Sequence, residues 1–279
     1  MRGFAVSVDS PVAQINFVSA TPRVPDRHPD ESYPDLRVWR AGEVLHLEHV
    51  SGVSARSDRN EIEVGGEGHL GRAFRRIFLP AIAHMLGHRD RWVLHGGLIS
   101  TGGRGVLILG ATGRGKSTLV GAAWRAGWSA HGDDLTVLRS GSEGIEACAL
   151  PRPPAIPVEA VPPGFVHVGT IDARRRVEID PSALASGWVP LRAVILLEHG
   201  VDTEVRVTPV PLSQIIQALL GSFPSASNPA LCRPYLRVAA AAASLPRWVF
   251  RHSPDARSRV EAACRMLDDV AGRLSDGPE

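Results

Sequence analysis

The sequence predicts an α/β protein built on a mixed sheet flanked by helices, with a β-rich N-terminal region. Three observations predict it. Apolar runs of strand length are interleaved with stretches whose apolar residues recur every three or four positions. The apolar fraction, 44% of 279 residues, suits a packed interior and is too high for a disordered chain. The length fits one large domain, or a core domain with a small appendage. The expected organisation is a β-rich region over 1–65 and an α/β core with C-terminal helices over 66–279.

Taken in order, "LRVWRAGEVLHLEHV" holds two alternating runs around Ala41–Gly42, a hairpin signal, and "SARSDRNEIEVGG" suggests another. The Pro- and Asp-rich stretch "TPRVPDRHPDESYPD" reads as an exposed loop. From Leu70 to Met85 the apolar residues Leu70, Phe74, Ile77, Phe78, Ala81, Ile82 and Met85 give an amphipathic helix. Pro80 should kink that helix or open one turn. "WVLHGGLIS" and "GVLILG" are short buried strands, read as adjacent and parallel, separated by the turn "TGGR" at Thr101–Arg104. A helix from about Lys116 to Ala126 stops at Gly127. "LTVLR", "RRVEID" and "RAVILLEHG" are strands, the last a continuous apolar run of the central kind. "PLSQIIQALLGSF" sets Leu212, Ile215, Ile216 and Leu219 on one helical face, and "RPYLRVAAAAASL" is also helical. The last helix has Ser253 as N-cap, Pro254 at its first position and Val260, Ala263, Met266, Leu267 and Val270 on its apolar face.

Lys and Arg number 31 against 29 Asp and Glu, a net charge of +2. That lacks the strong basic excess of a general nucleic-acid binder, and "RRR" at Arg174–Arg176 is too short to supply one. Cys148, Cys232 and Cys264 are widely spaced, so neither a disulfide framework nor a zinc site is expected. The N-terminus carries no uninterrupted apolar run of the signal-peptide kind, and "VAAAAASL" at Val238–Leu245 is far short of the ~20 residues of a membrane span. The expectation is a soluble, reduced, cytoplasmic protein with neither nucleic acid nor membrane as partner.

One stretch carries chemistry. Gly110-Ala111-Thr112-Gly113-Arg114-Gly115-Lys116-Ser117 fits the Walker A pattern GxxxxGK[ST] at every fixed position, and Thr118 follows it. It sits after an apolar strand and before a helix, where the mechanism needs it. Gly113 and Gly115 let backbone N–H groups turn inward around phosphates, and the helix start adds its positive dipole end. Lys116 supplies a mobile positive charge for the β- and γ-phosphates and Ser117 a hydroxyl for Mg²⁺. GTPases, transport ATPases, helicases and small kinases share such a loop, so the reaction must come from the rest of the site.

Asp133 and Asp134 follow Lys116 by seventeen and eighteen residues, one helix and one short strand, enough to return the chain to the loop. Consecutive strand residues point to opposite sides. One carboxylate could therefore face a metal and the other an incoming hydroxyl, the division phosphoryl transfer requires. His95, in "VLHGG", could hydrogen-bond a catalytic carboxylate and tune its basicity, or be a structurally satisfied histidine.

Read together, "LHGGLIS", "GVLILGATGRGKSTL" and "RAGWSAHGDDLTVLR" resemble the catalytic core of the HPr kinase/phosphorylase family, in which a His-Gly strand, a P-loop and an Asp-Asp pair occur in this order. That family shares its P-loop core with phosphoenolpyruvate carboxykinases, which implies the same kinase-type core here. The specific part covers about Val93–Arg139, with weaker likeness in "VPLRAVILLEHG" and "PVPLSQIIQALL". The resemblance implies ATP phosphates at Gly110–Thr118, Asp133 as base toward a serine hydroxyl, Asp134 with Ser117 at Mg²⁺, and His95 supporting Asp133. The two aspartates are interchangeable at this point. The Glu-x-Arg-Gly signature of the bifunctional enzymes is missing; the nearest stretch is "GFVHVGTIDARRR", so dephosphorylation is not implied. The family's larger N-terminal domain has no clear copy either. What remains is similar to the stand-alone kinases of the family, some of which phosphorylate a serine of a lasso-peptide precursor while others act on free serine. Arg152 and Arg233 are candidate phosphate contacts, and a homo-oligomer is compatible with the resemblance.

Three functions stay open: an ATP- and Mg²⁺-dependent kinase of a serine in a peptide or protein, a small-metabolite or free-serine kinase, and a nucleotide-binding regulator without transfer. A shikimate-kinase-type enzyme would place its carboxylates as Asp-x-Asp without a preceding His-Gly strand, so the adjacent pair and His95 favour the first.

Overall fold

The computed structural model describes residues 14–17, 21–68, 74–150, 155–162, 176–199, 206–223, 229–252 and 256–275. They divide into two compact units, one of Met1–Val93 with Pro224–Cys232 and one of Leu94–Phe223 with Arg233–Glu279. Arg152, the "GFVHVGTIDARRR" stretch up to Arg175, and the Ser253–Pro254 helix start lie outside the described residues.

In the first unit, β1 (Gln14–Phe17), β2 (Glu31–Ser32), β3 (Leu36–Ala41), β4 (Val44–His49), β5 (Val53–Ser57) and β6 (Glu61–Gly66) form one sheet in the order β1-β6-β5-β4-β3-β2. The hairpin expected around Ala41–Gly42 is present, with Gly42 at a φ of 62° that a side chain rarely adopts. A second hairpin joins β5 to β6. β4 alternates as a half-buried strand should, with Leu45 and Leu47 buried between more exposed neighbours. A π-helical turn at Phe74–Phe78 leads into α1 (Leu79–Gly87), so Pro80 sits in the first turn of the α-helix and the opened turn precedes it. Ser57 Oγ donates to Ala81 O at 2.8 Å and ties α1 to β5.

The second unit is built on a branched mixed sheet. Its strands are the end of β7 (Trp92–His95), β8 (Gly97–Thr101), β9 (Arg104–Leu109), β10 (Ser129–Gly132), β11 (Leu135–Gly141), β12 (Gly144–Ala149), β15 (Val189–His199), β16 (Arg206–Pro209) and β17 (Arg247–His252). A separate ribbon pairs β13 (Ala155–Pro157) with β14 (Arg176–Glu178). β15 is central as its apolar run predicts, parallel to β9 on one side and β17 on the other. β8 and β9 are antiparallel, which corrects the parallel reading: the positive φ values of Gly102 and Gly103 close a two-residue turn between them.

The helices are α2 (Lys116–Arg125), α3 (Leu212–Gly221), α4 (Pro229–Ala243) and α5 (Ala256–Ser275). Gly127, at φ 83°, lies just beyond α2, where a left-handed residue ends a helix. Ile99, Ile108, Ile195 and Phe250 of the sheet pack against Leu119 and Ala123 of α2 and Val260, Ala263, Met266, Leu267 and Val270 of α5. The Val, Leu, Ile, Phe and Met side chains among them, buried to this degree, contribute roughly 1.5–3 kcal/mol each to folding. On α3, Ile215 and Leu219 are buried as expected, while Leu212 is 45% exposed because it opens the first turn. Among the described residues, no helix is long and apolar enough to cross a membrane.

Candidate functional site

β9 is buried from Gly105 to Leu109 and delivers the chain to the loop with no slack. Gly110, Gly113 and Gly115 take φ values of 147°, 84° and 96°, a backbone path that other residue types resist. A Cβ at Gly110 would stand 3.0 Å from Leu197 O, so this glycine also serves close packing against β15. Gly115 precedes α2, and among the described residues no side chain caps that helix start, whose N–H groups therefore face the loop. Ala111, Thr112 and Gly113 are exposed, Arg114 and Ser117 half-buried, and Thr118 is buried.

Lys116 is 6% exposed. Its Nζ donates to Gly110 O at 2.7 Å and to Ala111 O at 3.3 Å, folding the ammonium back over the loop. Burial pushes its pKa down to about 8, against a smaller upward pull from the Asp133 carboxylate. Asp133 thus lies within electrostatic reach of the loop lysine.

The two aspartates occupy the bend between β10 and β11, both half-buried. Four contacts attach that bend and the start of β11 to His95 and Gly96, where β7 passes into β8. Gly96 N–H donates to Asp134 O at 3.0 Å, and Thr136 Oγ1 donates to Gly96 O at 2.9 Å in the interior. The ring Nδ1 of His95 lies 2.8 Å from Asp134 Oδ1 and 3.0 Å from Asp134 O. The resemblance implied that His95 supports Asp133; the structure sets the ring against Asp134. Because β8 runs antiparallel to β9, Gly97 lies opposite Ile108, and the His95–Gly96 end of the hairpin comes beside the end of β9 where the loop begins.

Two features near the aspartates escaped sequence reasoning. β10 steps from Ala130 to Gly132 while β8 steps from Ile99 to Leu98, making His131 the extra residue of a β-bulge. Its Nε2 lies 2.9 Å from Ser100 Oγ, and both residues are buried. Burial lowers the His131 pKa, so the ring stays neutral at physiological pH. Glycines fill the tight places on either side. A Cβ on Gly97 would stand 3.1 Å from Val120 Cγ2 and 3.6 Å from Asp133 Cα, and one on Gly132 would stand 2.8 Å from Ala149 Cβ. His131 directly precedes Gly-Asp-Asp, a position that could have flagged it.

A cleft of 540 Å³ brings His95, Gly110, Thr112, Arg114, Glu198 and Ser222 together. Its size suits a nucleotide-sized ligand. Ser222 is tied to His95, whose N–H donates to the Ser222 carbonyl at 2.7 Å. Glu198, near the end of β15, accepts from Gln214 Nε2 and from Arg251 Nε at 3.1 Å. It is the acidic residue of "RAVILLEHG", hidden in the sequence because the run around it reads as core. Arg233 is exposed at the start of α4 and does not line this cleft. Among the described residues, no group of three or more His, Cys, Asp or Glu side chains forms a ready metal site.

No family model matches this chain, and no curated protein matches it. Among solved structures, the HPr(Ser) kinase/phosphatase from Coxiella burnetii is similar to 66% of this chain over 93% of its own length, at 14% identity and a TM-score of 0.36. That superposition is too loose to carry functional residues across.

Proposed function

We propose that the chain is an ATP-dependent phosphotransferase that moves a γ-phosphate to a hydroxyl, with a serine of a peptide or protein as the acceptor. The observation that carries this reading is the convergence of a lysine-bearing Gly-rich loop and two adjacent carboxylates, one inside the electrostatic field of Lys116 and the other against His95. A nucleotide-binding module needs the loop alone. A second carboxylate oriented by a histidine is what acceptance of a hydroxyl proton requires, and it supports transfer over binding alone.

The proposed division of labour follows the contacts. Lys116, lifted from the Gly110 and Ala111 carbonyls, pairs with the β- and γ-phosphates, whose remaining oxygens take the loop N–H groups. Asp134, held by His95 and by the Gly96 N–H on its carbonyl, accepts the acceptor's hydroxyl proton. This exchanges the roles implied by the family resemblance, because the histidine that should support the base lies on Asp134. Ser117 and Asp133 offer hard oxygen donors beside the loop, a donor set that fits Mg²⁺. Bound there, the ion would neutralise charge developing on the transferred group.

The test is phosphate transfer read by mass spectrometry. Wild type, Asp133→Asn and Asp134→Asn are incubated with Mg-ATP and a panel of serine-containing peptides, an HPr protein, free serine and small alcohols. A labelled peptide or protein, with transfer reduced ~10²–10⁴-fold in Asp134→Asn and nucleotide binding kept, is expected. Raising Mg²⁺ should restore part of the activity of Asp133→Asn and none of that of Asp134→Asn. Label on a small alcohol alone would move the assignment to a metabolite kinase. Undiminished transfer in both variants would end the reading.

A further inference from the structure

We propose that Glu198 recognises the ribose of the donor nucleotide, its carboxylate accepting hydrogen bonds from the 2′- and 3′-hydroxyls. This inference rests on the kinase reading above and deepens it. β15 runs parallel to β9 with Leu196 opposite Leu109, and the next residues on each strand meet where Leu197 packs against Gly110. Glu198 is one residue further on. It therefore lies just past the first residue of the phosphate loop, in the same cleft.

Direction comes from the geometry of transfer. The attacking and leaving oxygens of a transferred phosphoryl group lie roughly in line, on opposite sides of the phosphorus. The aspartates follow β10, which pairs with β8 on one side of β9; Glu198 stands on β15, on the other side. An acceptor hydroxyl at Asp134 thus sends the departing nucleotide toward β15. Moving outward from the loop, the first neutral part of the nucleotide is the ribose, ahead of the base.

Hydrogen-bonding character selects the same part. Glu198 is ion-paired with Arg251, so it offers the cleft two acceptor oxygens with little net charge, which suits a neutral group that donates hydrogen bonds. The side chain is fixed for that purpose: Oε1 accepts from Gln214 and Oε2 from Arg251, which leaves one further lone pair on each oxygen. Two acceptor oxygens facing two vicinal hydroxyls make a bidentate match, and an acidic residue on ribose hydroxyls is a recurring solution in dinucleotide sites.

The experiment is calorimetric binding of Mg-ATP, Mg-2′-deoxy-ATP and Mg-3′-deoxy-ATP to the full chain. Wild type should bind either deoxynucleotide about tenfold more weakly than ATP, the loss expected when a charge-assisted hydrogen bond goes unmade. In Glu198→Ala, ATP should bind no better than the deoxynucleotides. Equal affinities in the wild type, or discrimination that survives in Glu198→Ala, would overturn the assignment. If Glu198→Ala loses the wild-type circular dichroism, Glu198→Gln, which keeps the side chain's size, is expected to shrink the discrimination in the same direction, and full retention would overturn it. Run beside Asp134→Asn in the transfer assay, the two ideas separate. Discrimination without transfer removes the kinase reading alone, and transfer without discrimination removes the ribose contact alone.

Discussion

Lys116 is where burial and charge meet. Its pKa of about 8 comes from desolvation, and the sign of its effect follows. The folded chain holds the proton less tightly than the unfolded one, so the empty fold gains stability as pH rises from 8 toward the ordinary lysine value of 10.5. Bound phosphates reverse the shift, because an anion beside the ammonium favours the charged form. Nucleotide binding at pH 8 should therefore take up roughly half a proton, and more at pH 9. Calorimetry in buffers of different ionisation enthalpy reads that uptake, and Lys116→Met should abolish it. No uptake at either pH would mean that the lysine does not meet phosphate. The loop was legible in the sequence because its fixed positions and their strand–helix context are local. The partner of His95 was not. Alternation predicts opposite directions for Asp133 and Asp134, but a bend after a bulge decides which one meets the ring.

At the scale of elements, the site depends on β10 reaching β8 and turning away at a set point. His131 bulges, Ser100 Oγ holds its ring, and Gly132 passes so close to Ala149 that a Cβ would come within 2.8 Å of another Cβ. Neither group is the far end of a flexible side chain, so Gly132→Ala must displace a strand. Overpacking of this kind costs roughly 1–3 kcal/mol. The expected result is a lowered melting temperature with transfer falling further than nucleotide affinity, since the loop on β9 keeps its backbone while the aspartates move. Affinity and transfer falling in proportion would show that β10 supports the loop as much as the carboxylates. The alternation of strands and helices was readable from periodicity, and so was the end of α2 at Gly127. The antiparallel course of β8 against β9 was readable only from the "TGGR" turn, because buried parallel and antiparallel strands carry the same apolar runs.

At the scale of the whole molecule, the chain separates into a β-rich unit and a unit that holds every residue of the loop, the aspartate pair and Glu198. The interleaving of apolar runs with helical periodicity made the class legible, but a grouping that joins Leu94–Phe223 with Arg233–Glu279 depends on contacts distant in sequence, which periodicity does not encode. The division gives a prediction that needs no acceptor. A ligand that binds the native state alone at a hundredfold excess over its dissociation constant stabilises that state by about 2.7 kcal/mol. The amides of β9 and β15 lie in the core of the second unit and exchange only when it opens. Their exchange should slow about a hundredfold in saturating Mg-ATP, and the segment Gly110–Val120 should gain protection directly from contact with the phosphates. Inorganic sulfate at the same concentration should reproduce the effect on the loop only weakly, because one tetrahedral anion meets fewer of the loop N–H groups than a triphosphate does. Exchange unchanged by millimolar Mg-ATP across β9, β15 and the loop would remove the nucleotide site, and with it every function proposed for this cleft.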